Sequence, residues 1–112
     1  MDTLKGKGIS LAIKFFKENE CEVLNPKHKN SNGPDLNIIK NDEVFRVEIK
    51  ELRKTKTGSF QVCPISENRK NDDFVLITYK ETIVEFISMQ DHLKLCCESG
   101  VRIMSSVMKI MN

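Results

Sequence analysis

The stretch from Asp35 to Lys50, DLNIIKNDEVFRVEIK, alternates apolar and polar side chains on both sides of a short polar interruption. Few folds accommodate such a pattern. Both arms are rich in Ile, Val and Phe, which suit a pleated strand. Asn41 and Asp42 tolerate positive φ, as a tight two-residue hairpin turn requires. With those two at the turn, Asn37 faces Arg46, Ile39 faces Val44, and Asp35 faces Glu48. Side chains alternate by twos. Leu36, Ile38, Phe45, Val47 and Ile49 therefore share a wholly apolar face that must be core, while Asp35, Arg46, Glu48 and Lys50 share the other.

The rest of the chain is organised around this hairpin. Lys5 to Glu20 reads as a helix, with Ile9, Ala12, Ile13 and Phe16 at helical spacing. Cys21 to Leu24 follows as a short strand. Asn25 to Pro34 is dense in turn formers and reads as a loop. Glu51 to Gly58 is a polar, basic connection. Phe60 to Ile65 reads as a strand broken by Pro64, and the apolar run Phe74 to Tyr79 as a central buried strand. After a turn at Lys80 to Thr82, Ile83 to Ile87 is a further strand. Ser88 is placed to cap a helix with Asp91 in its first turn, running to about Glu98 and stopped by Gly100. Val101 to Met111 reads as a last helix, with Met104, Val107, Met108 and Met111 on one side. The order predicts an α/β fold: a central mixed β-sheet flanked by helices, in one domain spanning residues 1–112.

Composition removes several classes of function. With 18 basic and 16 acidic residues the net charge is +2, which by itself says nothing about nucleic acid. The absence of Trp and the single Tyr argue against stacked aromatic platforms for bases. Cys21, Cys63, Cys96 and Cys97 show no C-x-x-C spacing, and two are adjacent. They read as reduced thiols of an intracellular, cytoplasmic protein. A zinc site on Cys96, Cys97 and His92 would match no common ligand spacing. The start of the chain lacks the apolar region of a secretion signal. No apolar run approaches the roughly 20 residues that span a bilayer, so no membrane partner is expected.

The polar face of the hairpin carries the chemistry. Two carboxylates set opposite one another repel. A divalent cation resolves that conflict, and Mg²⁺ prefers hard oxygen ligands: one or two carboxylates completed by water and phosphate oxygens. Asp35 and Glu48 would supply the carboxylates, and the carbonyl of Ile49 a further ligand. Lys50, two residues past Glu48 on the same face, could orient a water or stabilise charge on a phosphate. The basic residues Arg46, Arg53, Lys54 and Lys56 adjoin this site and suit phosphate contacts, although Lys54 and Lys56 fit a solubilising loop equally well, and Gln61 is a candidate for touching substrate. Arg69 and Lys70 fit either a phosphate contact or a solvated helix end. His28 reads as an exposed loop residue, and Lys5 and Lys7 as a frayed start.

Gly33-Pro34-Asp35, then after twelve residues Glu48-Ile49-Lys50, resembles the motif of the PD-(D/E)xK nuclease superfamily, which has the restriction-endonuclease-like fold. The N-terminal Lys-Gly-Lys-Gly, the first helix and the Pro-Asp loop are similar to those of Holliday-junction resolvases. Gly58 to Val62, then Arg69 and Asp72 to Val75, look more like small phage-type or restriction nucleases. The resemblance implies a restriction-endonuclease-like core. It also implies a Mg²⁺-dependent DNA endonuclease, with Mn²⁺ as a substitute, Asp35, Glu48 and Lys50 as catalytic residues, and Asp35, Glu48 and Ile49 as metal ligands. A homodimer would bring two such sites to a duplex. In one respect the chain departs from the pattern. Many members carry a further Glu on the first helix, and here that place falls near Ile9 or Ser10. The alternative expectation is a catalytically inactive DNA-binding or assembly module with the same fold.

Overall fold

The computed structural model describes residues 4–24 and 35–104, and the side chains from Gly8 onward. The loop with His28, Gly33 and Pro34, the side chains of Lys5 and Lys7, and the segment with Val107, Met108 and Met111 lie outside the described residues.

The chain runs α1 (Leu4–Glu18), β1 (Glu22–Val23), β2 (Leu36–Lys40), β3 (Glu43–Glu51), β4 (Arg53–Lys54), β5 (Phe60–Val62), a 3-10 turn (Glu67–Arg69), β6 (Phe74–Tyr79), β7 (Thr82–Ser88), α2 (Met89–Lys94) and β8 (Arg102–Ile103). Among the described residues, one sheet has the order β1-β2-β3-β6-β7 and a second, smaller sheet the order β4-β5-β8. The larger is mixed, because β3 and β6 run parallel while its other pairs are antiparallel.

The β2–β3 hairpin has the register its turn residues demand. Asn41 and Asp42 have φ of 54° and 64°, the double left-handed turn that matches strand twist. Asn37 pairs with Arg46, Ile39 with Val44, and Leu36 with Val47. The apolar face packs beneath α1, where Ala12, Phe16, Cys21, Leu36, Ile38, Val47, Ile49 and Leu76 form one buried cluster. Phe45, at its margin, is only partly buried.

The other face of the sheet is covered as well. Val75 and Ile77 of β6 and Val84 of β7 join Leu52, Phe60, Val62, Ile65, Met89 and Met104 in a second core. The small sheet and α2 therefore cover this face of the sheet over β6 and β7. β6, between β3 and β7, is buried along its four inner positions, as its apolar run predicts.

Several boundaries differ from expectation, each through a contact the local pattern does not contain. α1 stops at Glu18 rather than Glu20. Glu20 turns left-handed (φ 63°), and the Cys21 amide bonds back to the Phe16 carbonyl at 2.9 Å, a C-terminal closure. α2 begins as expected, with the Asp91 amide donating to Ser88 Oγ at 3.1 Å. It ends at Lys94 rather than near Glu98. Beyond it the Cys97 amide donates to the Val101 carbonyl at 2.9 Å and Gly100 takes φ 86°, so the chain folds back.

The expected helix from Val101 is not formed over the described part. Arg102 pairs with Val62 and Ile103 with Gln61, and the Met104 amide donates to the Phe60 carbonyl at 2.9 Å. Arg102 and Met104 point inward and Ile103 outward, a period of two that three residues cannot advertise. The connection after β3 is likewise more ordered than its polarity suggested, because Leu52 is buried and Arg53–Lys54 pairs with Phe60–Gln61.

Candidate active site

The site begins where the hairpin ladder runs out. In a two-residue hairpin the closing pair, here Lys40 and Glu43, exchanges hydrogen bonds, so every second residue of β3 aims its amide and carbonyl at β2. Ile49 belongs to that set. Its amide donates to Asp35 Oδ2 at 2.9 Å, so the Asp35 carboxylate takes over from backbone at the start of β2. The Ile49 carbonyl leaves the strand toward the same side. Carried one step past Leu36–Val47, the register sets Asp35 opposite Glu48.

Glu48 is 3% exposed. It lies beside Val75, and Lys50 lies beside Ile77. The acid that the alternation presents on the polar face is thus walled by β6 and almost closed off from solvent. A charge in such surroundings interacts more strongly with whatever it faces, because little water screens it. Lys50 is half-buried, and its Nζ donates to the Pro64 carbonyl at 3.4 Å. That contact draws the ammonium toward the small sheet. Glu51, the acid next along, is committed elsewhere. It accepts from Thr78 Oγ1 at 2.6 Å and from the Lys80 amide at 2.8 Å, which ties β3 to the β6–β7 turn.

The other candidates divide into two groups. Arg46 shares the polar face, but its guanidinium donates to the Asn71 carbonyl at 2.5 Å and pairs with Asp73 at 3.8 Å. Asp73 also accepts the Arg46 amide at 2.8 Å, which fastens the start of β6 to β3. Arg53, Lys54, Lys56 and Gln61 stand together on the β4–β5 hairpin, beyond Lys50. Arg69 and Lys70 are engaged locally, with Asp72 at 3.7 Å and Glu67 at 2.7 Å.

Two groups that the sequence did not single out flank the site. Asp72 is 5% exposed, and its Oδ2 has no hydrogen-bond partner among the described residues. Burial pushes its carboxyl above the usual range; Arg69 and Arg46 pull it down, while the charges of Asp35 and Asp73 add to the rise. The second group joins β7, α2 and β8. Arg102 donates to Glu85 through both terminal nitrogens, Nη2 at 3.1 Å, and its Nη1 lies 3.2 Å from Nδ1 of the wholly buried His92. An arginine can only donate, so Nδ1 accepts and the ring proton sits on Nε2. Burial first, then Arg102, bring His92 down to about 4, with Glu85 opposing and Lys50 adding to the fall. Its Nδ1 thus faces a guanidinium, not the cysteine thiols. No local pattern marks either group, because burial and partner both come from distant segments.

Among the described residues, no three His, Cys, Asp or Glu side chains converge as a metal-holding group. The donors at the hairpin end are two carboxylates and a backbone carbonyl, all hard oxygens. That set suits Mg²⁺, which keeps several waters, and not a closed zinc site.

No protein-family model matches the sequence, and no curated protein matches it. Among solved structures the chain is similar to a bacterial homing endonuclease, I-Ssp6803I, with a TM-score of 0.71 and 19% identity over 93% of this chain and 76% of that one. The two share a fold: a mixed sheet with helices on its faces. No helix among the described residues is long and apolar enough to cross a membrane.

Proposed function

We propose that the protein is a Mg²⁺-dependent DNA endonuclease of the PD-(D/E)xK type, hydrolysing phosphodiester bonds at the open end of the β2–β3 hairpin. The observation that carries this reading is the Asp35 carboxylate on the Ile49 amide at 2.9 Å, one residue from the buried Glu48 and one from Lys50. The shared fold with a homing endonuclease supports it.

In this reading Asp35, Glu48 and the Ile49 carbonyl would hold the cation, and Lys50, whose Nζ rests on the Pro64 carbonyl, would turn to the water and the scissile phosphate. The chemistry Mg²⁺ would supply there is Lewis acidity toward a phosphate oxygen and a lowered pKa for water. Glu48 and Asp35 fix the donor positions in advance, so little reorganisation is needed as charge develops. Lys50 orients the attacking water and offsets negative charge building on the phosphate oxygens. Val75 and Ile77 keep bulk water from the inner side of the site. Mn²⁺, also an oxygen-seeking cation, substitutes. Cutting both strands of a duplex takes two such sites, which a homodimer supplies.

The test is cleavage of a panel of linear, branched and single-stranded DNAs with Mg²⁺, Mn²⁺ or EDTA. Cutting that needs the metal and disappears in Asp35→Ala and Lys50→Ala is expected. No cutting of any substrate, or cutting retained in both variants, overturns the proposal.

A further inference from the structure

The small sheet sets three side chains in a row. Arg53 pairs with Gln61, and Gln61 with Ile103. Partners across a ladder share a face, so these three stand side by side on β4, β5 and β8. The other face of the same sheet carries Phe60 and Val62, buried in the second core, and Arg102, buried against Glu85 and His92. The row therefore looks outward. Arg53 is exposed and Gln61 part-exposed, and Ile103, at 59%, is the most exposed large apolar side chain among the described residues. A cation, a carboxamide and a bare aliphatic group are an odd trio for a surface that only meets water.

We propose that this row reads base edges in the major groove of duplex DNA: Arg53 a guanine, Gln61 an adenine, and Ile103 the methyl of a thymine. This rests on DNA being the substrate, as above, and goes beyond it by assigning sequence recognition to a surface outside the hydrolytic site. The three side-chain types are those whose geometry matches these bases: the guanidinium fork bonds O6 and N7 of guanine, the carboxamide bonds N6 and N7 of adenine, and an apolar group meets the C5 methyl. Neighbouring strands lie about 4.8 Å apart, so the row spans about 10 Å, close to three base steps of about 3.4 Å, which is the reach of four successive base pairs. The major groove is about 12 Å wide and admits a two-stranded β-ribbon; this sheet has three strands among the described residues, so it is the outward side chains of the row, not the whole sheet, that enter the groove.

The occupant's charge follows from the surrounding segment. Leu52 to Cys63 contains Arg53, Lys54 and Lys56 and no acid, and none of the three joins an ion pair among the described residues. Lys54 reaches over the Phe60 ring at 6.0 Å, and Lys56 stands exposed in the turn. Both suit phosphate rather than bases. The turn is held in advance: Thr55 Oγ1 lies 3.0 Å from Thr57 Oγ1 and 2.8 Å from Ser59 Oγ, and the Gly58 amide donates to the Thr55 carbonyl at 3.0 Å. Less ordering is then needed on binding. A purely electrostatic contact would leave Ile103 unexplained, whereas a groove with thymine methyls gives it a partner. Arg53 follows Lys50 by three residues, at most about 10 Å of chain, so the bases read adjoin the bond cut.

The test is selection of bound sequences from a randomised duplex library in Mg²⁺-free buffer, with the full chain and with Arg53→Ala, Gln61→Ala, Ile103→Ala and Lys56→Ala. Thermal melting of each variant checks folding. Wild type is expected to enrich a motif with about three specified base pairs within a stretch of about four. Each of the first three variants should relax one position, with discrimination falling about tenfold or more. Lys56→Ala should weaken all sequences alike and flatten the salt dependence. A wild type that enriches no motif overturns the inference, as do variants that leave the motif unchanged, or a protein that ignores duplex DNA and binds polyglutamate instead. Cleavage measured alongside separates the two proposals. Metal-dependent cutting without sequence preference removes the base-reading row and leaves the nuclease. An enriched motif that shifts with the variants, without cutting, does the reverse.

Discussion

The Ile49 amide donates to the Asp35 carboxylate at 2.9 Å, so the residue between Glu48 and Lys50 is the one that fixes the acid from the neighbouring strand. One hydrogen bond thereby ties together the three positions on which the proposed chemistry depends. It also explains why Asp35 opens β2 rather than lying within it. A carboxylate can accept a ladder bond at a strand end while keeping its second oxygen for another partner.

Metal binding should be visible without any substrate. A ligand that binds only the folded state stabilises it by about 2.7 kcal/mol at a hundred times its dissociation constant. For a chain of this length that raises the melting temperature by roughly 10 °C. Mg²⁺ is expected to raise the wild-type midpoint in this manner, and Glu48→Gln and Asp35→Asn to abolish the rise. A Mg²⁺-dependent shift that survives in both variants would place the cation elsewhere.

Lys50 should separate binding from turnover. It contacts the Pro64 carbonyl and no acid among the described hydrogen bonds and ion pairs, so Lys50→Ala is expected to melt within about 1 kcal/mol of wild type. The Mg²⁺-dependent shift should persist. The cleavage rate should fall by about 100-fold or more, the scale of losing a charge-stabilising donor. Single-turnover cleavage alongside melting checks this; a lost metal shift would make Lys50 part of the cation's support instead.

Acid should destabilise the protein through His92. Its pKa is about 4 in the fold against an ordinary 6.5, so between those values the unfolded chain holds more protons than the native one. Stability then rises with pH across that window. The contribution is complete above pH 6.5 and is lost as pH falls toward 4, on the order of 3 kcal/mol. Asp72, raised by burial, acts with the opposite sign: its native state holds the extra proton, so stability declines as pH rises through its window. Comparing wild type with His92→Gln in urea at pH 7, 5.5 and 4.5 isolates the histidine. The wild-type slope should flatten in the variant; equal slopes would remove His92 as the source.

How much was legible follows from how local each cause is. The hairpin was readable because its turn residues, its alternation and its opposed acids lie within sixteen consecutive positions, and Asn41 and Asp42 suffice to set the register. The burial of Glu48 was not, since β6 supplies Val75 and Ile77 only after a parallel crossover. The β8 strand reads in the sequence as the start of a helix from Val101, because Glu85, which makes the burial of Arg102 tolerable, is seventeen residues away. Leu52 was lost among basic neighbours. Asp72 carried no signal beyond being an acid before a strand. In each case the missing information is a partner, not a propensity.

The back of the site offers the sharpest steric test. Gly8 of α1 is buried, and a Cβ built there would lie 3.1 Å from Ile49 Cγ2 and 3.7 Å from Thr78 Oγ1. Helix α1 therefore rests on the residue that positions Asp35. Alanine gains about 1 kcal/mol over glycine in a helix, which offsets the small displacement that a 3.1 Å contact demands, so Gly8→Ala should melt within about 1 kcal/mol of wild type. Gly8→Val adds two methyls against Ile49 and Thr78, and overpacking of this kind costs about 1–3 kcal/mol. Because the push falls on Ile49, Gly8→Val should also weaken the Mg²⁺-dependent rise in melting temperature, although Gly8 touches neither metal nor substrate in the proposed reaction. Melting curves with and without Mg²⁺ for the two variants decide it. A valine variant that is destabilised yet keeps the full Mg²⁺ response would show that α1 supports the sheet without positioning the site.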